Sequence, residues 1–296
     1  MLLPILLDLF LWLGPRLSVY PLFRAYIDFM NSPGMVNMMG ADQAQQLEPV
    51  YRLLDQTGQA SNLFWWLSPM LLGVPSLMIG APMQKTPNGQ PTIWSVPSGL
   101  ACFGLFFVLS LIGLALSAAY WGMLSGRVRE QVVSLGRIAA LWWGLFKIAM
   151  LFALVALIIG FPTMLVALIF MLFSPLAAQF VMMMGASVIL WVLFYLAFTV
   201  HGVALRDALV FQSVRMSIAL MQTQFLSAMG LLILSVGIYI GMGFVWNIPP
   251  GDSWVKAAGI LGHAFTITGL LTATALFYID RTKPMTGDQP TAAGGR

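Results

Sequence analysis

Ionisable side chains inside apolar stretches are the first place to look for chemistry in this chain, and His263 is the clearest of them. It falls about ten residues into an apolar stretch, where an ionisable group is costly and often functional. Small residues accompany it at helical spacing, among them Gly262, Thr266 and Gly269. One interpretation is a neutral imidazole that bonds a neighbouring helix; the other is a proton relay or a substrate contact. Because no second intramembrane acid or base is predicted to relay a proton, the structural interpretation is favoured.

The adjacent pair Arg206 and Asp207 is the second candidate functional site. The pair lies near the start of a polar link, about residues 202–223, between two apolar stretches. Arg129 and Glu130 form a similar pair, and each pair is followed eight or nine residues later by another arginine, Arg137 or Arg215.

The link itself admits two interpretations. On a helical wheel Arg206, Ser213 and Ser217 align on one stripe, which fits a helix wedged against an inner polar groove. A solvated loop helix is the other interpretation. His201, just before the link, is expected to end its helix at the membrane interface, and Lys147 is expected to reach the headgroups by snorkelling.

Catalytic spacings are missing from the sequence. It contains no HExxH, CxxC or GxSxG motif and no glycine-rich phosphate loop before a lysine. With two histidines and the single Cys102, a metal site built from nitrogen and sulfur ligands is not expected. We therefore expect no catalytic residue, no cofactor and no enzymatic activity.

Composition places the chain in a membrane. Of 296 residues, 59% are apolar and 8% charged, with a mean hydropathy of +0.88, whereas soluble domains carry about 25% charged residues. The net charge of +4 includes no dense basic cluster, so nucleic acid is not an expected partner. We predict an all-α, polytopic helical membrane protein with about six transmembrane helices plus interfacial amphipathic helices.

Apolar runs long enough to cross a bilayer define the predicted spans. They are residues 62–79, 99–124, 141–173, 177–200, 224–246 and 254–278. Residues 1–13 are too short and contain Asp8, so an interfacial or partly inserted helix is expected there. An amphipathic interfacial helix is predicted from Arg127 to Trp142, a bend at Pro162, and a disordered tail over 281–296.

Six spans allow an orientation to be predicted from the basic residues. With both termini in the cytoplasm, eleven Lys and Arg lie on the inner side and two on the outer side, which agrees with the positive-inside rule. The expected location is the cell membrane, with the bilayer and other membrane proteins as partners. Residues 1–280 are predicted to form a single membrane domain, with three repeated units at 1–124, 125–200 and 201–280.

The segment HGVALRDALVFQSVRMSIALMQTQFLSAMGLLILSVGIYI carries a family resemblance. Over roughly 195–280 the chain is similar to uncharacterised bacterial multi-span proteins, which in turn resemble the membrane domain fused to some glycerophosphodiester phosphodiesterases. The metal site of the hydrolase module has no counterpart here, so the resemblance implies a membrane domain and no phosphodiesterase activity.

Two functions are compatible with these features. The favoured one is a non-enzymatic scaffold or an accessory to transport or envelope assembly. The alternative is a small-solute or lipid transporter, for which polar residues inside spans or broken helices are typical.

Overall fold

Helices make up most of the structure, a computed structural model that describes residues 1–39, 41–69, 72–81 and 85–283. Five helices are long and apolar enough to cross a membrane in this part of the chain. The predicted all-α, polytopic class is confirmed. The predicted tail lies outside the described residues from 284 onwards, and its first residues belong to the last helix.

Several helices and two short strands precede the first helix that is long and apolar enough to cross a membrane. They are α1 (Leu2–Leu13), β1 (Arg16–Ser18), α2 (Tyr20–Met30), α3 (Pro33–Met39), α4 (Ala41–Ala60), a 3-10 helix (Leu63–Leu67) and β2 (Ile93–Ser95). Strand β1 pairs with β2 in parallel, with Arg16 opposite Ile93. Helix α1 has 12 residues and is about 18 Å long, too short to cross a ~30 Å hydrocarbon core.

The prediction of a span at residues 62–79 is wrong. After the 3-10 helix, the described residues up to 81 form turns and irregular backbone. Pro69 and Pro75 lack the N–H that a helix interior needs, and the Ser68 hydroxyl donates to the Val74 carbonyl oxygen at 2.6 Å. The apolar composition of this segment therefore gives it the hydropathy of a membrane-spanning helix, although its backbone is not helical.

The long helices follow in order. They are α5 (Gly99–Arg129), α6 (Leu135–Met171), α7 (Pro175–Tyr195), α10 (Phe225–Asn247) and α11 (Lys256–Thr282), with the shorter α8 (Thr199–Arg206) and α9 (Val210–Thr223) between α7 and α10. Residues Pro175–Arg206 count as one span that contains both α7 and α8. Pro162 lies within α6, and the helix continues through this proline. All 37 residues of α6 together give a length of about 55 Å.

The predicted amphipathic helix over Arg127–Trp142 does not form. Helix α5 ends at Arg129, and Glu130 takes a positive φ of 54°, which a helix interior does not allow. The Gln131 N–H then bonds the Gly126 carbonyl oxygen at 2.9 Å. The Ser134 hydroxyl caps α6 by accepting from the Arg137 N–H at 3.2 Å. Residues 130–134 therefore connect two helices, and the arginines on either side, Arg129 and Arg137, belong to α5 and α6.

The contacts divide the chain into two compact units. The first comprises Met1–Ser117 and Ile238–Thr268, and the second comprises Ala118–Gly237 and the chain from Gly269 onwards. Trp12 and Val74 are among the most buried side chains of the first unit, and Phe198 and Tyr278 among those of the second. The three repeated units expected from the sequence stay a prediction.

Candidate functional site

A buried carboxylate, Asp8 of α1, forms the centre of the polar cluster in the first unit. Its side chain is 0% exposed. The carboxylate accepts a hydrogen bond from the Ser76 hydroxyl, and bonds from the N–H groups of Leu77 at 3.0 Å and Met78 at 3.1 Å. Asp8 thus holds the irregular segment after the 3-10 helix against α1.

Burial sets the protonation behaviour of Asp8. Loss of solvation raises the pKa of the carboxyl group to about 6, while the Ser76, Leu77 and Met78 hydrogen bonds and the charge of Lys256 act to lower it. The desolvation of a carboxylate outweighs three hydrogen bonds here because all of the side chain is removed from water.

Lys256, the first residue of α11, is the buried cation of the same cluster. Its side chain is 4% exposed, and its Nζ donates to Asn247 Oδ1 at 2.8 Å. Asn247 ends α10, and its own Nδ2 donates to the Gly243 carbonyl oxygen at 3.0 Å. The ammonium group has three donors, and among the described residues only Asn247 takes one of them.

A cavity of about 440 Å³ opens beside Lys256. Its walls come from residues 77–81 and 247–250 and from Lys256 itself. Ligand pockets commonly measure about 300–1,000 Å³, so the cavity is large enough for a small molecule or a headgroup.

Helix α1 also contacts the turn between α10 and α11 directly. Trp12 Nε1 donates to the Gly251 carbonyl oxygen at 2.7 Å, and the rings of Trp12 and Trp254 meet edge to face at 5.8 Å. From the sequence alone, Asp8 indicates only that α1 does not span, and Lys256 is only one of the two basic residues on the predicted outer side. No spacing in the sequence connects residues so far apart, so the cluster was missed.

His263 lies in α11 within the first unit, 3% exposed, with its ring 5.7 Å from that of Tyr239 on α10. Its Nε2 has no hydrogen-bond partner among the described residues, so the expected bond to a neighbouring helix is not made by this atom. The predicted small-residue face is closely packed at Gly262, where a Cβ would lie 2.5 Å from the Trp246 ring, but at Gly269 a Cβ would meet no described atom within 4 Å. The Trp246 Nε1 bonds Thr266 Oγ1 at 3.3 Å.

His201 differs from its predicted position. It lies inside α8, which continues to Arg206, and its side chain is 6% exposed within the second unit. The ring Nε2 is 3.0 Å from Thr274 Oγ1 on α11, and Trp121 contacts the ring at 5.1 Å. Because aromatic rings and a threonine enclose it, His201 is a core residue, and the expectation that it ends a helix at the interface is wrong.

A break separates α7 from α8 within the span that contains His201. Ser217 of α9 serves both sides of this break: its hydroxyl donates to the Tyr195 carbonyl oxygen at 2.7 Å and accepts from the Phe198 N–H at 3.1 Å. Ser213 and Ser217 are both 0% exposed. Helix α9 therefore turns its serine stripe inward, as the wedged-helix interpretation expects, and the solvated-loop alternative is not supported.

The predicted pair Arg206 and Asp207 stays adjacent but binds two different partners in the second unit. Arg206 Nε donates to Thr282 Oγ1 at 3.1 Å. Asp207 takes a positive φ of 50° as the C-cap of α8, and its carboxylate accepts from Arg129 Nη1 at 2.6 Å. Arg137 Nε lies 3.4 Å from the same carboxylate. His263, the third candidate residue, belongs to the other unit.

Three glycines of α10, Gly230, Gly237 and Gly241, have the spacing of a small-residue helix face, and the last two form a GxxxG pair typical of close helix packing. A Cβ added at any of them would meet no described atom within 4 Å, so no close packing occurs at these glycines among the described residues. Close approaches occur at other glycines, such as Gly202, where a Cβ would lie 2.7 Å from the Ser213 side chain.

Comparison with known proteins gives no match to any family model, curated protein or solved structure. The class of protein therefore rests on the fold. In the described part of the chain, five apolar helices of 23 or more residues make this an integral membrane protein associated with a lipid bilayer.

Proposed function

We propose that this membrane protein is a non-enzymatic scaffold, or an accessory to transport or envelope assembly. The main support for this proposal is the hairpin formed by α6 and α7. The two helices contact each other closely, since a Cβ on Gly185 would overlap the Thr163 side chain. Yet in the most apolar 18-residue stretch of each of these spans, only 6% of the residues are buried. Large apolar faces of this kind are available to other membrane proteins as well as to lipid.

Photo-crosslinking tests this proposal in native membranes. A photoreactive residue is placed at Leu157 or Met183, each 62% exposed, and at Ala167 or Ala178 as buried controls within the same hairpin. We expect the exposed positions to capture the same membrane protein, which also co-purifies at fixed stoichiometry in native nanodiscs, and the buried positions to crosslink within the hairpin. Lipid adducts alone at the exposed positions would contradict the proposal.

The proposed membrane topology follows from the five helices. An odd number of spans places the two termini on opposite sides of the membrane. Eight of the 14 Lys and Arg then share the side of the C-terminus, five share the side of the N-terminus, and Lys147 lies in a span. We propose a cytoplasmic C-terminus, in agreement with the positive-inside rule, and an external N-terminus in a cell membrane. The sequence-based expectation of two cytoplasmic termini needs an even number of spans.

Transport of a small solute or lipid is the second candidate function, and the α7–α8 break favours it. Interrupted helices next to buried polar groups are typical of transporter sites. The break comprises residues 196–198, and His201 follows it within the first turn of α8. Purified protein in liposomes would test it by uptake of a solute library, with His201→Gln and a stability measurement as control. Equal uptake by protein-free liposomes would exclude this function for the solutes tested. The resemblance to phosphodiesterase-fused membrane domains stays a prediction.

A further inference from the structure

We propose that Lys256 and the adjacent cavity form a binding site for a phosphate group, supplied by a phospholipid headgroup or by free phosphate. The site is independent of the scaffold proposal, because it lies in the first unit and uses none of the residues of the α6–α7 hairpin.

The first argument is the incomplete pairing of Lys256. A buried ammonium group is costly unless it is paired and hydrogen-bonded. Its one described hydrogen bond goes to the neutral Asn247 Oδ1, and Asp8 acts on it electrostatically without a direct ion pair among the described contacts. Two donors of a cation that is 4% exposed are thus available at the wall of a cavity.

The second argument is the composition of the cavity walls. Leu77, Met78 and Ile248 contribute apolar side chains, and Lys256 and Asn247 contribute an ammonium and an amide group. A cavity lined by both a cation and apolar side chains suits an amphiphile whose oxyanion reaches the lysine. Asn247 and Lys256 are also the end of one spanning helix and the start of the next, so they lie near the edge of the hydrocarbon core, where lipid headgroups begin.

Asp8 tunes this site without occupying it. Its two oxygens accept from Ser76, Leu77 and Met78, and no described contact joins them to the lysine ammonium group. Its negative charge opposes an incoming anion, however. Removal of this charge should therefore strengthen binding, while removal of the lysine charge should weaken it.

The experiment uses the full-length protein, purified in detergent and stripped of lipid. Its thermal unfolding is followed during titration with inorganic phosphate, with phosphatidic acid, and with diacylglycerol of the same acyl chains. We expect saturable stabilisation by phosphatidic acid and none by diacylglycerol. Stabilisation by inorganic phosphate as well would identify free phosphate as a competent ligand; its absence would assign the site to lipid headgroups. Equal effects of phosphatidic acid and diacylglycerol, or no effect of any phosphate, would overturn the proposal.

Variants connect the binding to this cavity. Lys256→Met is expected to weaken phosphatidic acid binding about tenfold to a hundredfold, the range for loss of a charged hydrogen bond, while Lys256→Arg retains it. Lys147→Met is the matched control, because Lys147 is exposed and its Nζ lies over the Trp143 ring at 5.3 Å. Asp8→Asn is expected to strengthen binding.

A further variant covers the case in which Lys256→Met does not fold. Ala81→Phe fills the cavity and leaves Lys256 in place, and it should abolish binding. Undiminished binding by Ala81→Phe together with unchanged affinity of Asp8→Asn would refute the site.

Discussion

The hydroxyl of Ser217 lies 2.7 Å from the carbonyl oxygen of Tyr195, on the helix that ends there, and it donates a hydrogen bond to it. The Ser217 hydroxyl oxygen also accepts from the Phe198 N–H across the break, at 3.1 Å. One side chain of α9 therefore satisfies a backbone acceptor and a backbone donor that the interruption of the span would otherwise leave unpaired. Buried backbone groups of this kind need a partner, above all in a membrane.

Loss of this hydroxyl should destabilise the second unit. We expect Ser217→Ala to lower the free energy of unfolding by about 1–3 kcal/mol, the cost of leaving buried polar groups unpaired. Chemical unfolding in mixed micelles measures the change. Ser187→Ala is the matched control, because Ser187 bonds only the Met183 carbonyl oxygen of its own helix from an exposed position. Equal losses for both variants would contradict the bridging role.

Replacement by glycine should affect the stability of the protein differently at Glu130 and at Asp207. They are the non-glycine residues with positive φ among the described residues, and each directly follows an arginine that ends a helix. Glu130→Gly should stabilise the protein by about 0.5–1 kcal/mol, because it relieves a left-handed conformation that costs roughly 1–2 kcal/mol. The higher entropy of glycine in the unfolded chain offsets part of this gain.

Asp207→Gly relieves the same strain but removes the acceptor of Arg129, so we expect no gain or a net loss of stability. Thermal unfolding of the two variants and the double variant makes the comparison. A gain for Asp207→Gly equal to that for Glu130→Gly would show that the Arg129 bond contributes nothing.

The raised pKa of Asp8 predicts a pH-dependent stability. The folded protein holds the proton up to about pH 6, whereas the unfolded chain releases it near 3.8. Stability should therefore fall as pH rises from about 4 to 6, by about 3 kcal/mol for the two-unit shift, and level off above that range.

Asp8→Asn removes this titration, so the difference in unfolding free energy between wild type and variant should follow the same curve. Asp28→Asn, whose carboxylate is exposed, serves as the control. A difference between wild type and Asp8→Asn that does not change over this pH range would contradict the assignment.

Accessibility of single cysteines tests the proposed topology. In a Cys102→Ser background, cysteines at the exposed positions Thr57 and Asn88 should react with an impermeant reagent in intact cells, and a cysteine at Val132, which is 97% exposed, should react only after permeabilisation. Labelling of Thr57 and Val132 from the same side would disprove the odd number of spans between them.

Hydropathy predicted the long helices well because a continuous apolar run of about 20 residues has few other stable forms in a membrane. The same signal failed at 62–79, where Pro69, Gly73 and Pro75 favour turns that an averaged hydropathy does not register. The surroundings of His201 and Lys256 could not be predicted, because they include residues from distant parts of the chain. Thr274 bonds His201, and the charge of Asp8 acts on Lys256. Only tertiary structure brings such side chains together.

The bond between Trp12 and Gly251 also has a consequence for biosynthesis. The two residues are 239 positions apart in the chain. At 5–20 residues per second, roughly 10–50 s separate their appearance at the ribosome. Helix α1 is thus made first but finds its partner turn only when most of the protein has been inserted. Over that interval the carboxylate of Asp8 lacks the cation that shares its cluster, so chain elongation beyond Lys256 is the step that completes the first unit.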